Sequence, residues 1–217
     1  GSTVSNATLH NSDFIKGLDL HIGDTVVVRK AGGIIPEIVR VIPEKRPPES
    51  RPFVFPTHCP ACNGPALRES GNAAHFCNNP HCAAQRHQKL LHFVSKSCMD
   101  ISGLGEKLLE QLEATGTVET IADLYTLNTD TLSTFSQMGP KRAEKILKQI
   151  EDSKTRPLSR LIFGLGIPFV GSRNAELLAR SLNLDELTRA STETLTAISG
   201  LGERIATAIE TFFAHPE

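Results

Sequence analysis

Two hydrophobic patterns divide the chain, and the first predicts β-structure. Within residues 22–42 the apolar positions form short β-branched runs at 26–28 and 38–42, and Gly32-Gly33 supplies a turn between them. A further strand is predicted at residues 4–9. We therefore expect residues 1–46 to form a small antiparallel β-barrel or part of one, and the proline-rich residues 47–58 to form a linker.

The β-module carries two candidate DNA contacts beside its glycine turn, Arg29 and Lys30. Basic side chains in this position can contact phosphates, although exposed basic residues commonly contact only water. On the residues alone, a generic β-module is the simpler interpretation of this segment.

Helical spacing dominates the second pattern. Residues 83–94 form a predicted amphipathic helix. After it, a four-residue pattern recurs, and each copy stands directly before a predicted helix. The pattern is an apolar residue, a glycine, an apolar residue and a glycine. The final glycines of these turns are Gly105, Gly139, Gly166 and Gly202, so the first and third lie 61 residues apart and the second and fourth 63. Residues 99–217 are therefore predicted to contain four helix-hairpin-helix motifs in two doublets.

The chemistry of these turns predicts a phosphate-binding surface. Glycine permits positive φ and close approach, which exposes backbone N–H groups at the start of the next helix, where the helix dipole also favours an anion. Such contacts position a protein on DNA without reading its bases. The candidate backbone sites are Gly103, Gly105, Gly139, Gly164, Gly166, Gly171, Ser172, Gly200 and Gly202, and the candidate cations are Lys107, Lys141, Arg142, Lys145, Arg173 and Arg204.

The copies of the turn differ in one respect. Gln137 replaces the first glycine of the second copy, so that turn is predicted to be more structural or to depend on the basic helix after it. The alternative for the whole array is that the turns merely join the helices of an all-α bundle and bind nothing.

Four cysteines form two close pairs ahead of the helical region. Cys59 and Cys62 enclose two residues, Cys77 and Cys82 enclose four, and fourteen residues separate the pairs. Thiolates at this spacing predict a structural zinc site, which leaves no open coordination position for catalysis. Two disulfides or an iron–sulfur cluster are the alternatives. The zinc finger and the helix after it are expected to occupy residues 59–98.

The remaining cysteine and the charge distribution add two expectations. Cys98 has no obvious base beside it and is predicted to be a buried structural thiol; cysteine usage as a whole fits a reducing cytoplasm. The net charge is −1, but residues 139–160 carry seven basic and three acidic groups within an acidic second half. This distribution predicts contact with a partner at particular surfaces.

Taken in order, the β-module, the cysteines and the helix-hairpin-helix doublets resemble the C-terminal part of bacterial NAD-dependent DNA ligases. The resemblance covers nearly all of residues 3–217 and is carried by TVSNATLHN, IGDTVVVRKAGGIIPEIVRV, CPAC…CNNPHCAAQ, HFVSKSCMDISGLGEK and LIFGLGIPFVG. It implies a multidomain, mainly α protein whose β-module is a partial oligonucleotide-binding (OB) fold, whose cysteines hold zinc, and whose hairpins grip duplex DNA around a nick. The family usually has an acidic residue where Gly33 stands here.

The resemblance also implies the chemistry of a longer parent protein. The family joins a 5′-phosphate to a 3′-hydroxyl at nicks, with NAD and Mg²⁺, through a lysine of an adenylation domain that would precede Thr3; a further domain would follow Glu217. We therefore expect this chain to bind nicked double-stranded DNA as a monomer, in the bacterial cytoplasm near the nucleoid, with no catalytic or NAD-binding residue of its own. A non-enzymatic DNA-repair or protein–protein scaffold built from the same parts is the alternative.

Overall fold

The computed structural model describes residues 3–32, 35–68, 72–136 and 138–214. The chain divides into two compact units, Gly1–Cys82 and Ala83–Glu217. Most of its regular structure is helical, as predicted. Gly33 and Gln137, the two departures noted in the sequence, lie outside the described residues.

The first unit contains short antiparallel strands: His21–Ile22 (β1), Val26–Ala31 (β2), Ile35–Val41 (β3), Arg51–Pro52 (β4), Ala66–Leu67 (β5) and Phe76–Cys77 (β6). They pair as β1 with β4, β2 with β3, and β5 with β6. The β2–β3 hairpin confirms the two predicted strands, and Val26 lies opposite Val41 in its register. Within the described part of the chain these two-stranded sheets do not close into a barrel.

The predicted strand at residues 4–9 is wrong. Only Thr8 pairs there, through an isolated bridge to Glu37. The first regular element is instead the helix Ser12–Gly17 (α1), which begins where the side chain of Asn11 accepts a hydrogen bond from the Phe14 N–H at 2.9 Å. An asparagine directly before Ser-Asp is a typical helix start, so the sequence did carry a signal for this helix.

Arg46 ties the segment after β3 back to the region around β1. Its guanidinium group lies 2.8 Å from a carboxylate oxygen of Asp24 and 2.9 Å from one of Asp19. Burial raises the pKa of Asp24, but hydrogen bonds from Arg46 and from the His21 N–H outweigh burial and hold that pKa below its ordinary value. The network therefore requires the ionised form of Asp24.

The second unit is helical. Its α-helices are Ala83–Val94 (α2), Glu106–Ala114 (α3), Thr129–Ser133 (α4), Pro140–Ser153 (α5), Leu158–Gly164 (α6), Ser172–Ser181 (α7), Leu184–Thr188 (α8), Thr192–Thr196 (α9) and Glu203–Ala214 (α10). A 3₁₀ helix, Ala122–Thr126, lies between α3 and α4. The predicted helix at 83–94 has the predicted bounds. Among the described residues, no helix has the length and apolar character needed to cross a membrane.

Two hydrophobic cores hold these helices. Phe93, Leu109 and Ile146 belong to a core built from α2 to α5, whereas Ile162 and Leu178 belong to one built from α6 to α10. All five side chains are essentially inaccessible to solvent. Each half of the helical unit therefore buries its own apolar surface, as two doublets would.

Candidate metal and nucleic-acid sites

The four clustered cysteines converge on one point of the first unit. Cys59 and Cys62 precede β5, Cys77 ends β6, and Cys82 follows it. Their sulfur atoms all lie within 4.8 Å of one another, and those of Cys62 and Cys77 are 3.5 Å apart. A tetrahedral zinc ion with Zn–S bonds of about 2.3 Å places its sulfur ligands about 3.8 Å apart. The separations therefore fit one zinc ion.

The electrostatics of the cysteines also favour a bound cation. Hydrogen bonds from the Asn79 side chain and the Gly64 N–H lower the pKa of Cys62 to about 6. The Asn79 N–H acts to lower the pKa of Cys77, but burial and the neighbouring thiols raise it to about 12. Because one thiolate opposes formation of the next, a dication is needed to ionise the whole set.

The turn from Cys59 to Gly64 leaves little room for a side chain at its last residue. The Cys59 N–H donates to the carbonyl of Gly64 at 2.8 Å, and the Gly64 N–H lies 3.4 Å from the sulfur of Cys62. A Cβ at Gly64 would lie 3.1 Å from the Cβ of Asn79, so close approach favours glycine there. Sequence reasoning missed Asn79, although the Asn-Pro step in CNNPHC is a turn signal.

The cysteine alternatives do not match the structure. All five cysteines are free thiols, which is not the two-disulfide arrangement. The close mutual approach of the four sulfur atoms suits a single ion better than a multi-iron cluster. Cys98 is fully buried in the second unit, as predicted for a structural thiol, but His92 Nε2 lies 3.5 Å from its sulfur, so the expectation that no base lies beside it is wrong.

Four tight turns in the second unit share one hydrogen-bonding pattern. In each turn, a buried apolar residue donates its backbone N–H to the carbonyl oxygen three residues earlier: Leu104 to Ile101, Met138 to Phe135, Val170 to Ile167, and Leu201 to Ile198. A glycine follows the donor, and α3, α5, α7 and α10 begin directly after that glycine. The helix-turn-helix geometry is thus repeated four times among the described residues.

The third turn lies five residues later than predicted. Gly164 is not in a turn but is the buried last residue of α6, where an added Cβ would lie 3.2 Å from the ring of Phe93 and 3.3 Å from the Cβ of Cys98. Gly166 follows at φ 67°, and its N–H donates to the carbonyl of Phe163 to end the same helix. Gly164 and Gly166 are therefore wrong as hairpin glycines: the first allows α6 to pack closely, and the second terminates it.

The turn that matches the others comprises residues 167–171. Phe169 has φ 65° there and holds the position that Gly103 and Gly200 hold in the first and fourth turns, at φ 105° and 96°. Gly171 then begins α7. A side chain in the left-handed region is uncommon, which explains why a search for paired glycines found the wrong site.

A different sequence signal identifies the correct register. The fourth residue after each helix-start glycine is fully buried: Leu109, Ala143, Ala175 and Ala206. The fourth residue after Gly166 is Val170, which is also apolar and buried, so this spacing fits Gly166 and Gly171 equally. The residue two positions after the glycine separates them, because it is Arg173 after Gly171, a cation as in the other three turns, but Pro168 after Gly166.

The two glycines of a turn are there for different reasons. Gly103 has φ 105°, and a Cβ on it would lie 2.7 Å from Cγ1 of Ile146, so the fold itself requires glycine. The helix-start glycines have extended backbone, such as φ −84° and ψ 174° at Gly105. An added Cβ would meet nothing within 4 Å at any of them, namely Gly105, Gly139, Gly171 and Gly202. Internal packing does not explain these four glycines.

The hairpin helices also begin without side-chain caps. Within the part of the chain that the structure describes, no side chain caps the start of α3, α5 or α7. Three helices that do not follow one of these turns are different, because side chains of Asn128, Asn183 and Ser191 cap α4, α8 and α9. The first turns of α3, α5 and α7 therefore have backbone N–H groups that no N-cap side chain satisfies.

A cation stands two residues after each helix-start glycine. Lys107, Lys141, Arg173 and Arg204 hold this position, and all four are exposed. Arg142 and Lys145 add exposed charge on α5, and Ser172 is the exposed first residue of α7. The corrected third turn brings Arg173 into the same position as the other cations, so the four turns are alike in charge as well as in backbone.

One contact joins the third and fourth turns. The guanidinium carbon of Arg204, at the start of α10, lies 3.9 Å from the centre of the Phe169 ring. The ring of Phe169 is half exposed. Two helix starts with their cations are thereby held next to each other.

The two candidate DNA-contacting residues of the β-module, Arg29 and Lys30, differ in the contacts that they make within the hairpin. Arg29 donates from Nε to a carboxylate oxygen of Glu37 at 2.5 Å, and His10 approaches the other oxygen at 3.2 Å. The hydrogen bond from Arg29 is the main reason that the pKa of Glu37 is lowered. Lys30 is exposed on the same strand. Of the two, only Arg29 is committed to an internal ion pair in the hairpin.

Comparison with known protein families identifies the class of these parts. Residues 1–50 match the NAD-dependent DNA ligase OB-fold domain, and residues 58–84 match the NAD-dependent DNA ligase C4 zinc finger domain. Residues 96–152 match a SAM-like helix-hairpin-helix tandem, and residues 160–217 match a helix-hairpin-helix motif. The chain is thus a mainly helical protein with OB-fold, zinc-finger and helix-hairpin-helix domains, whose four cysteines form the structural zinc site.

Individual relatives agree with this assignment. The chain is 50% identical to "DNA ligase 2" of Deinococcus deserti, and 48% identical to proteins named "DNA ligase" in Symbiobacterium thermophilum and Halalkalibacterium halodurans. Each match covers 100% of this chain but only 32–33% of the relative. The resemblance to NAD-dependent DNA ligases is confirmed over the whole chain, which spans about a third of the length of the curated relatives it matches.

Proposed function

We propose that this chain is the DNA-binding part of an NAD-dependent DNA ligase and that it grips the phosphate backbone of duplex DNA around a nick. Three features support the proposal: the ordered ligase domains, the names of the relatives, and the geometry of the hairpins. Sealing of the nick with NAD and Mg²⁺ is proposed for the longer protein. The residues of this chain bind and position DNA in that reaction.

The observation that carries the proposal is the set of four helix-start glycines. The fold does not require glycine at Gly105, Gly139, Gly171 or Gly202, since each faces open space. A phosphate oxygen bound to the first-turn N–H groups needs close approach to the backbone, which a Cβ would obstruct. The cation two residues later can then neutralise the same phosphate or its neighbour.

The arrangement of the hairpins supports binding along the DNA backbone and not to base edges. We propose four helix-hairpin-helix motifs in two doublets, each doublet with its own core. Backbone amides carry no base preference, so binding is expected to be independent of sequence. The domains proposed for the chain are a partial OB-type β-module at 1–46, a linker at 47–58, the zinc finger with its helix at 59–98, and the hairpin domain at 99–217.

The remaining sites have supporting roles in this proposal. Zinc at Cys59, Cys62, Cys77 and Cys82 is structural, because four thiolates complete its coordination. Lys30, and Arg29 to a smaller extent, are proposed to contact phosphates from the β-module. We propose that the protein acts as a monomer in the bacterial cytoplasm, associated with the nucleoid during replication and repair.

Fluorescence anisotropy with a labelled nicked duplex tests the proposal. Gly105→Val and Gly171→Val should each weaken binding by roughly 10–150-fold, because a hydrogen bond to a charged group is worth about 1.5–3 kcal/mol. Gly17→Val is the matched control, since a Cβ there also meets nothing within 4 Å. Unchanged affinity in both hairpin variants, with thermal unfolding also unchanged, would contradict phosphate binding at these turns.

A further inference from the structure

A second cluster of potential metal ligands, which contains no cysteine, lies between two helices of the second unit. His87 belongs to α2, and Glu106 and Glu110 belong to α3. One donor atom from each of the three side chains lies within 4.8 Å of the others. We propose that these three residues bind a divalent transition-metal ion.

The backbone that carries these donors is fixed by packing. Leu90 and Phe93 of α2 share the first hydrophobic core with Leu109 of α3, and all three are essentially inaccessible to solvent. Glu106 and Glu110 are separated by one helical turn, so their carboxylates extend from the same face of α3. The site is therefore assembled by helix packing and needs no rearrangement of the fold.

The imidazole of His87 is oriented as a metal ligand is. Its Nδ1 lies 2.5 Å from a carboxylate oxygen of Glu113, whose other oxygen is 3.7 Å from Nε of Arg86. A carboxylate in this position holds the proton on Nδ1 and leaves the lone pair on Nε2. Metal-binding histidines are commonly held by such a carboxylate on the nitrogen that does not bind the metal.

The second ring nitrogen of His87, Nε2, is the atom that would bind the metal ion. Nε2 of His87 is a buried atom, and none of the described residues gives it a hydrogen-bond partner. The side chain as a whole is 17% exposed, so the nitrogen is shielded while the two glutamates at the site are open to solvent. A buried nitrogen without a partner is costly, and a metal ion bridging it to the two carboxylates removes that cost.

The donor set defines the class of ion. One imidazole nitrogen and two carboxylate oxygens suit Zn²⁺, Mn²⁺ or Co²⁺, whereas Mg²⁺ and Ca²⁺ prefer oxygen alone. Three protein ligands also leave at least one coordination position for water. Such an ion would link α2 to α3 and neutralise charge beside the first hairpin, because Glu106 is the residue directly after Gly105.

Zinc titration of the full chain, already loaded with one equivalent at the cysteines, tests the proposal. Calorimetry should show a second saturable equivalent, and the thermal unfolding midpoint should rise as it binds. The second equivalent should be lost in His87→Gln and in the double variant Glu106→Gln/Glu110→Gln. Glu113→Gln should weaken it by about 10–100-fold, the usual effect of removing a carboxylate behind a metal-binding histidine. Glu144→Gln, on an exposed face of α5, is the control and should retain it.

Cobalt distinguishes this site from the cysteines. Co²⁺ bound to thiolates absorbs through sulfur-to-metal charge transfer, which nitrogen and oxygen ligands do not provide, so the second equivalent should add only weak d–d bands. Those bands should disappear in His87→Gln. The absence of a second equivalent in the unmodified chain would overturn the proposal. So would a second equivalent that persists in the exposed, easily tolerated glutamate double variant.

Discussion

The guanidinium carbon of Arg204 lies 3.9 Å from the centre of the Phe169 ring, and this contact connects the third and fourth turns of the helical unit. Phe169 occupies the left-handed position of the third turn, and Arg204 is the cation that follows the helix-start glycine of the fourth. Phe169 stands where the first and fourth turns have glycine, which is why a search for paired glycines misses the third turn. The ring of the same residue contacts Arg204 of the fourth turn.

A double-mutant cycle measures the energy of this pair. Arg204→Met removes the cation but keeps a long side chain, and Phe169→Leu removes the aromatic face. We expect a coupling free energy of about 0.5–1 kcal/mol in urea-induced unfolding of the four proteins. Coupling indistinguishable from zero would show that the two side chains are neighbours without a stabilising interaction.

Alanine substitution of each glycine in the first turn should distinguish the glycine that the fold requires from the one that it does not require. Gly103→Ala should lower the free energy of unfolding by roughly 1–3 kcal/mol, because the backbone is left-handed and the new Cβ would lie 2.7 Å from Ile146. Gly105→Ala should lower it by less, about 0.5–1 kcal/mol, because its backbone is extended and its surroundings are open, and only a favoured N-cap residue is lost. Equal losses in thermal unfolding experiments would show that both glycines are structural.

The sequence predicts most of the helical unit because its helix starts are local signals. The helix at 83–94 has the predicted bounds, and α3 begins directly after Gly105 as predicted. These limits depend on glycine, proline and apolar spacing within one segment, which a single sequence contains. The predicted zinc ligands are found together for the same reason, since their spacing defines the site.

The errors arise where a distant contact decides the role of a local pattern. Gly164 and Gly166 have the spacing of a hairpin, but the first packs against Phe93, far away in sequence. Residues 4–9 have strand composition, but only Thr8 finds a partner. Likewise, the cluster around His87 exists only because α2 packs on α3, and no spacing along the chain reveals it.

One equivalent of zinc should resist dialysis and be lost on removal of one cysteine. Cys62→Ser should abolish that equivalent, because a neutral hydroxyl replaces the thiolate whose pKa is lowered to about 6. Gly64→Ala should retain zinc with lower affinity, since its Cβ would press on Asn79 at 3.1 Å. Elemental analysis and competition with a chromogenic chelator provide the measurements. Full retention of tightly held zinc in Cys62→Ser would contradict the assignment of this ligand.

The network around Arg46 should make the first unit sensitive to acid. The pKa of Asp24 is lowered in the folded protein, so this carboxylate contributes stability above its unfolded pKa of about 3.9, and the contribution is lost as the pH falls through the folded value. Asp24→Asn should therefore reduce hydrogen-exchange protection of β1 and β2 near neutral pH. The difference from the unmodified protein should shrink below about pH 4. A difference that is constant with pH would exclude this ionisation as its cause.

The dependence of nicked-duplex affinity on salt tests the central claim most directly. Each phosphate neutralised contributes about 0.9 to the slope of log affinity against log salt. Neutralising the cation that follows each helix-start glycine should therefore reduce the slope by about 3–4. The substitutions are Lys107→Gln, Lys141→Gln, Arg173→Gln and Arg204→Gln.

A second variant removes the same charge elsewhere, at exposed positions away from the helix starts: Lys148→Gln, Lys154→Gln, Arg180→Gln and Arg189→Gln. We predict a steep, sequence-independent salt dependence for the unmodified chain, a clearly reduced slope for the helix-start variant, and a slope close to the original for the control. A flat salt response, or equal slopes for the two variants, would contradict phosphate binding by the hairpins.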